Sequence, residues 1–100
     1  LQIDGTLDEV NSPCPIDEKF MAFGWDVTII DGNDFDAIEQ AIAHAETVKD
    51  KPSVIILKTL KGKGVSFMEN QVGWHGKAPN ADEYAVAMNE LNEKLAALEG

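Results

Sequence analysis

Two aliphatic runs, Val27-Thr28-Ile29-Ile30 and Val54-Ile55-Ile56-Leu57, flank one long amphipathic segment, and that order restricts the fold more than any other feature. Both runs are rich in β-branched residues and bounded by turn formers, so each reads as a short buried strand. Between them Phe35, Ile38, Ile42, Ala45 and Val48 recur at helical spacing, with Asp36, Glu39, Gln40 and Glu46 elsewhere. Asn33 or Asp34 supplies the N-cap, and Lys49 at the far end suits the helix dipole. A strand, helix, strand order with a crossover of this length specifies a right-handed parallel βαβ unit.

The flanking segments add two further helices. Pro15 starts one, with Asp17 and Glu18 in its first turn, Ile16, Phe20 and Phe23 along one face, and Gly24 at the stop. Asn80 with Glu83 three residues on approximates a capping box for the last helix. Tyr84, Met88, Leu91, Leu95 and Leu98 line one face of it, which packs on the sheet or on a partner chain. Leu1 to Ile3 reads as the end of a strand closed by an Asp4-Gly5 turn, and residues 6–13 as an irregular connection. The expected architecture is α/β, with strands near 27–30 and 53–57 and helices near 15–23, 34–49 and 81–98. No composition shift marks an internal boundary.

The chemistry concentrates after the second strand. The chain carries 18 Asp+Glu against 8 Lys+Arg, yet four of its cations, Lys58, Lys61, Lys63 and Lys77, fall in one glycine-containing stretch. That stretch runs Lys58-Thr59-Leu60-Lys61-Gly62-Lys63-Gly64-Val65 and continues to Trp74-His75-Gly76-Lys77-Ala78-Pro79. Positive charge on a glycine loop at the C-terminal end of a parallel strand suits an anion, phosphate above all. No Gly-x-x-x-x-Gly-Lys-Ser/Thr spacing is present, and a merely soluble turn is the competing reading. His75 adds a group that can donate to a phosphate or hydroxyl and move a proton near neutral pH. Asp31 and Asn33 share the same sheet end. His44 reads as an ordinary helical histidine, since no second ligand sits at metal-binding spacing.

A net charge of −10 argues against a nucleic acid partner. No apolar run reaches the roughly 20 residues of a membrane span. The single Cys14 excludes an internal disulfide, fits a reducing cytoplasm and, between Pro13 and Pro15, reads as part of a packed turn. The absence of an initial Met agrees with a missing start.

The series from Lys58 to Val65, then Met68-Glu69-Asn70, then Trp74-His75-Gly76-Lys77, resembles the transketolases. Leu1-Gln2-Ile3-Asp4-Gly5, Phe23-Gly24-Trp25 and Ile30-Asp31-Gly32-Asn33-Asp34 resemble further segments of that family in the same order. More closely, residues 1–100 look like the C-terminal part of the thiamine diphosphate-binding section of a split, two-chain bacterial transketolase. The resemblance implies transfer of a two-carbon ketol unit from a ketose phosphate to an aldose phosphate, as in the pentose phosphate pathway, in the cytoplasm. It implies thiamine diphosphate and magnesium, or calcium in its place, as cofactors. It implies as partners a C-terminal transketolase section and a second copy of the assembly. By the same resemblance His75 is a catalytic residue that also touches cofactor and substrate. Ile3 packs on the cofactor ring, Lys61 steadies the cofactor loop, Lys77 meets the substrate phosphate, and the Leu1 carbonyl binds the metal.

The family's Gly-Asp-Gly motif is absent, as is the asparagine expected two residues before Leu1, and Asp26 and Asn33 stand where many members have histidine. These residues alone are therefore expected to be inactive. The alternatives are a related thiamine diphosphate enzyme with another sugar acceptor and a non-catalytic acidic α/β interaction domain.

Overall fold

A computed structural model describes residues 1–100. The chain forms two compact units, Leu7–Thr59, and Leu1–Thr6 together with Leu60–Gly100. The first is the βαβ unit. Strand β1 (Asp26–Asp31) and strand β2 (Ser53–Lys58) pair in parallel from Asp26↔Ser53 to Asp31↔Lys58, so the carboxyl ends of both strands lie side by side. Helix α3 (Phe35–Thr47) makes the crossover and packs on both strands, while α2 (Ile16–Ala22) packs on β1.

Local chemistry accounts for the boundaries. Asp34 caps α3 by accepting from the backbone N–H groups of Asp36 and Ala37. Gly24 adopts φ +85°, the left-handed conformation that ends α2, and Phe20 meets Trp25 edge-on at 5.0 Å between ring centroids. Asp31 Oδ1 accepts from Asn33 N at 2.9 Å, which turns the chain between β1 and α3. Gly32 is required there by crowding: a Cβ would stand 2.6 Å from side-chain atoms of Leu57 and Thr59. His44 Nε2 lies 3.1 Å from Asp26 Oδ2 and so joins α3 to β1.

In the second unit, helix α4 (Ala81–Glu99) follows a 3₁₀ turn at Val72–Trp74. Its N-terminus is a complete capping box. Asn80 Oδ1 accepts from Glu83 N at 2.8 Å, and Glu83 Oε1 accepts from Asn80 N at 3.0 Å.

Several expectations need correction. Leu1 to Ile3 is no strand end but the start of a tight turn, closed by a Gln2–Gly5 bridge. A short helix, α1 (Leu7–Val10), occupies part of the connection read as irregular. Helix α3 stops at Thr47, so His44 rather than Lys49 is the basic group of its last turn. The strands are not fully buried: Ile29 is 43% and Leu57 47% exposed, because two strands cannot cover their own faces. Phe35 is 88% exposed and does not belong to the packed stripe, and Leu98 on α4 is 86% exposed. Cys14 is exposed, not packed. The fully packed hydrophobic positions are Ala41 in the first unit and Ala87 in the second.

The capping box gives a direct check on the second unit. Asn80→Ala should cost about 1 kcal/mol of stability, read as a lower urea midpoint with an unchanged slope.

Candidate functional site

The loop from Lys61 to Lys77 has no strand ladder or long helix, so each bend depends on a specific hydrogen bond. Asn70 N donates to the Lys61 carbonyl at 2.8 Å and closes the loop across nine residues. Gly62 makes this closure feasible. Its φ of +76° is left-handed, and a Cβ at Gly62 would run into the Met68 carbonyl. Further on, Trp74 Nε1 donates to the Phe67 carbonyl at 3.0 Å and the two rings meet at 5.2 Å. The indole therefore fixes the residue just before His75 to the middle of the loop.

Glu69 and α4 complete the holding contacts. Gly64, at φ +108°, donates its N–H to Glu69 Oε1 at 3.0 Å, and its carbonyl accepts from Lys94 Nζ. Ser66 donates its backbone N–H to Glu90 Oε2 at 2.8 Å and its hydroxyl to Glu90 Oε1. These two Ser66 bonds, chiefly that of the hydroxyl, hold the Glu90 carboxyl below the usual glutamate range, and Lys94 adds to the effect. A depressed value means the ionised carboxylate favours the folded loop. That contribution is complete above glutamate's ordinary range and is lost as pH falls through the lowered value.

The charges then sort into two kinds. Lys77 is engaged: its Nζ sits 4.3 Å from the centre of the Trp74 ring and 3.6 Å from Glu83 Oε2. Both contacts are near the surface, where each is worth roughly 1 kcal/mol or less, so Lys77 can turn to another anion at small cost. Lys61, Lys63 and His75 are exposed and have no carboxylate partner within the chain. In a chain of net charge −10, these groups keep unneutralised positive or donor character for an external anion.

Of the residues singled out from the sequence, Lys61, His75 and Lys77 belong to this one self-closed loop. Leu1 and Ile3, distant in sequence, fall into the same compact unit. Ile3 is 63% exposed, and the Leu1 carbonyl takes no part in the Gln2–Gly5 turn. Lys58 instead belongs to β2, opposite Asp31. Glu90 and Lys94, which contact the loop from α4, were not singled out in the sequence, and Glu69 stood there only as part of the Met68-Glu69-Asn70 stretch. The i, i+4 spacing of Glu90 and Lys94, which puts both on one face of α4, is the signal that could have found them.

Lys61, Lys63 and His75 are exposed N–H donors of the chemical kind a diphosphate accepts from. For a metal, no group of three or more His, Cys, Asp or Glu side chains is assembled, so magnesium would need donors from outside these acidic side chains.

The fold is of the parallel α/β class, and Lys61 and Lys63 stand exposed on a glycine-containing loop. The chain is a member of the transketolase family: residues 1–95 match the family model described as the transketolase thiamine diphosphate binding domain. It is 38% identical over 99 residues to an apulose-4-phosphate transketolase subunit of Phocaeicola vulgatus, covering 99% of this chain and 35% of that protein. It is 40% identical over 96 residues to the 6-deoxy-6-sulfo-D-fructose transketolase subunit SqwG of a Clostridium species, covering 96% of this chain and 35% of that one. Human transketolase-like protein 2 is 44% identical over 72 residues, 72% of this chain and 11% of its own length. The chain thus spans about a third of the first two relatives. No helix is long and apolar enough to cross a membrane.

Gly62 tests the loop itself. Gly62→Ala combines a left-handed φ with a backbone collision and should cost about 1–3 kcal/mol, measured by chemical denaturation.

Proposed function

We propose that these residues form the diphosphate- and substrate-facing part of a split transketolase, which transfers a two-carbon ketol unit between sugar phosphates in the cytoplasm. Its partners would be a C-terminal transketolase section and a second copy of the assembly. The observation that carries this reading is a self-closed loop on which Lys61, Lys63 and His75 have no anionic partner, in a chain of the thiamine diphosphate-binding family.

When bound, thiamine diphosphate supplies the nucleophilic carbon and the electron sink for breaking a bond beside a ketose carbonyl. The chain's own residues do the rest. Lys61 gives fixed positive charge to the cofactor's diphosphate, held in place through its carbonyl by Asn70. His75 donates from its ring to diphosphate or substrate oxygen and carries a proton to or from a substrate hydroxyl as the carbon bond breaks. Lys77 swings from Trp74 and Glu83 to the phosphate of the sugar. Ile3 offers an apolar surface to the thiamine ring, and the Leu1 carbonyl is one oxygen for a magnesium ion whose other donors lie outside this donor set. The relatives named for apulose 4-phosphate and for 6-deoxy-6-sulfo-D-fructose make a phosphorylated or sulfonated sugar the first substrates to try. Both ligands end in an anion that Lys77 can meet.

Two variants separate the roles. In the complete enzyme His75→Ala should lower kcat by about a hundredfold or more while the melting temperature stays within a degree or so. Unaltered turnover in a steady-state assay would take His75 out of the mechanism. Lys61→Ala should weaken thiamine diphosphate binding by about tenfold in a calorimetric titration, the loss expected for one charge-assisted contact. An identical dissociation constant would leave Lys61 with no part in holding the cofactor.

A further inference from the structure

The roles assigned above leave Glu90 unused, although it makes the most specific contact between α4 and the loop. We propose that Glu90 is a positioning residue: from α4 it sets the backbone at Ser66 and so holds the cationic loop in the shape Lys61 and His75 need to bind a diphosphate. This rests on the proposed function of the loop.

The geometry carries it. One carboxylate takes both donors of one residue, Ser66 N at Oε2, 2.8 Å away, and the Ser66 hydroxyl at Oε1, so position and orientation are both fixed. The contact spans 24 residues of sequence and joins two different kinds of structure, a helix and a loop. One turn further along α4, Lys94 binds the Gly64 carbonyl, so the same helix holds the loop at two alternate residues. Gly64 lies at φ +108° and Gly62 at φ +76°, conformations with little torsional restraint of their own. An external holder is therefore needed at this bend, and α4 provides it. The helix is itself well anchored at its start, where the Asn80–Glu83 box closes. A surface hydrogen bond of no consequence would satisfy one donor. This one captures a backbone N–H and the side chain of the same loop residue, two positions beyond the second glycine.

The variants Glu90→Ala, Glu90→Gln, Ser66→Ala and the Ala pair, made in the complete enzyme, test the assignment. Thiamine diphosphate is titrated against activity and against Trp fluorescence. Glu90→Ala should raise the half-saturating cofactor concentration about tenfold, with a smaller loss in kcat at saturation. Glu90→Gln should recover affinity to within about threefold, because its amide oxygen accepts from Ser66 N–H and its amide N–H can donate to the hydroxyl. The Ala pair should be little worse than Glu90→Ala alone, the mark of a shared interaction. Unchanged half-saturation in Glu90→Ala overturns the assignment, as does a Gln variant as weak as the Ala variant or a loss seen only in the urea midpoint. A wild-type enzyme that takes up no thiamine diphosphate overturns the proposed function instead. Hydrogen exchange over residues 62–69 then decides the holding role: faster exchange in Glu90→Ala sustains it, and identical exchange removes it.

Discussion

A loop without a ladder has to find a partner for each peptide group one at a time, and everything distinctive in this chain follows from how residues 61–77 do so. Asn70 closes the loop on Lys61, Trp74 ties its far limb to Phe67, and Glu69 and Lys94 take the two peptide groups of Gly64. The glycines allow the bends, but they also widen the range of shapes the chain could take. Restraint therefore comes from side chains outside the glycine positions. This division gives Glu69 and Glu90 a structural part beside the loop: they accept from backbone N–H groups and a hydroxyl, while Lys61 and Lys63 have no carboxylate partner.

Charge placement follows from the same arrangement. An acidic chain repels anions at long range, but screening limits that field to about 8–10 Å at physiological ionic strength. Within that distance of the loop, Lys61 and Lys63 are exposed cations with no carboxylate in contact. Lys77 differs from Lys61 because Glu83 serves two purposes, with Oε1 on the α4 cap and Oε2 beside the lysine. The ion pair, 3.6 Å long and near the surface, is weak, and the cap does not depend on it because it uses the other carboxylate oxygen. A residue can thus be committed to structure through one oxygen while leaving its partner lysine free to act.

Much of this was readable from the residues, and the failures have identifiable causes. Helices α3 and α4 were legible because periodicity over more than three turns and a polar cap point the same way, and Asp34 and the Asn80–Glu83 pair cap as the sequence suggests. The parallel pairing followed from the crossover length. Helix α1 was missed because four residues are too few for a period to register. The strands were read as buried from their aliphatic content, but burial depends on what covers a strand, which composition cannot report. Within the site, Lys61, His75 and Lys77 stood out by type and spacing. Glu90 did not, since a glutamate on the polar side of a helix carries no sign that its acceptor oxygens are taken by a serine 24 residues away.

Exposure sets the last constraint on how the site works. The positions that pack fully are alanines, while Ile29, Leu57, Leu91 and Leu95 remain 42–52% exposed. Fully burying one such side chain contributes about 1.5–3 kcal/mol, so covering these four half-exposed groups would contribute a few kcal/mol, a sizeable share of the stability of a typical domain. Parallel sheets in α/β proteins are covered on both faces, and two strands with one crossover helix cannot supply both covers. Cover for β1, β2 and α4 is thus expected from outside these residues. The loop inherits that dependence, because its bends are held from α4, and α4 is only as rigid as the surface that packs against its apolar face. On the proposed function, anion binding by Lys61 and His75 would depend on that cover, because whatever buries Leu91 and Leu95 also steadies Glu90 and Lys94, which share their helix and contact the loop.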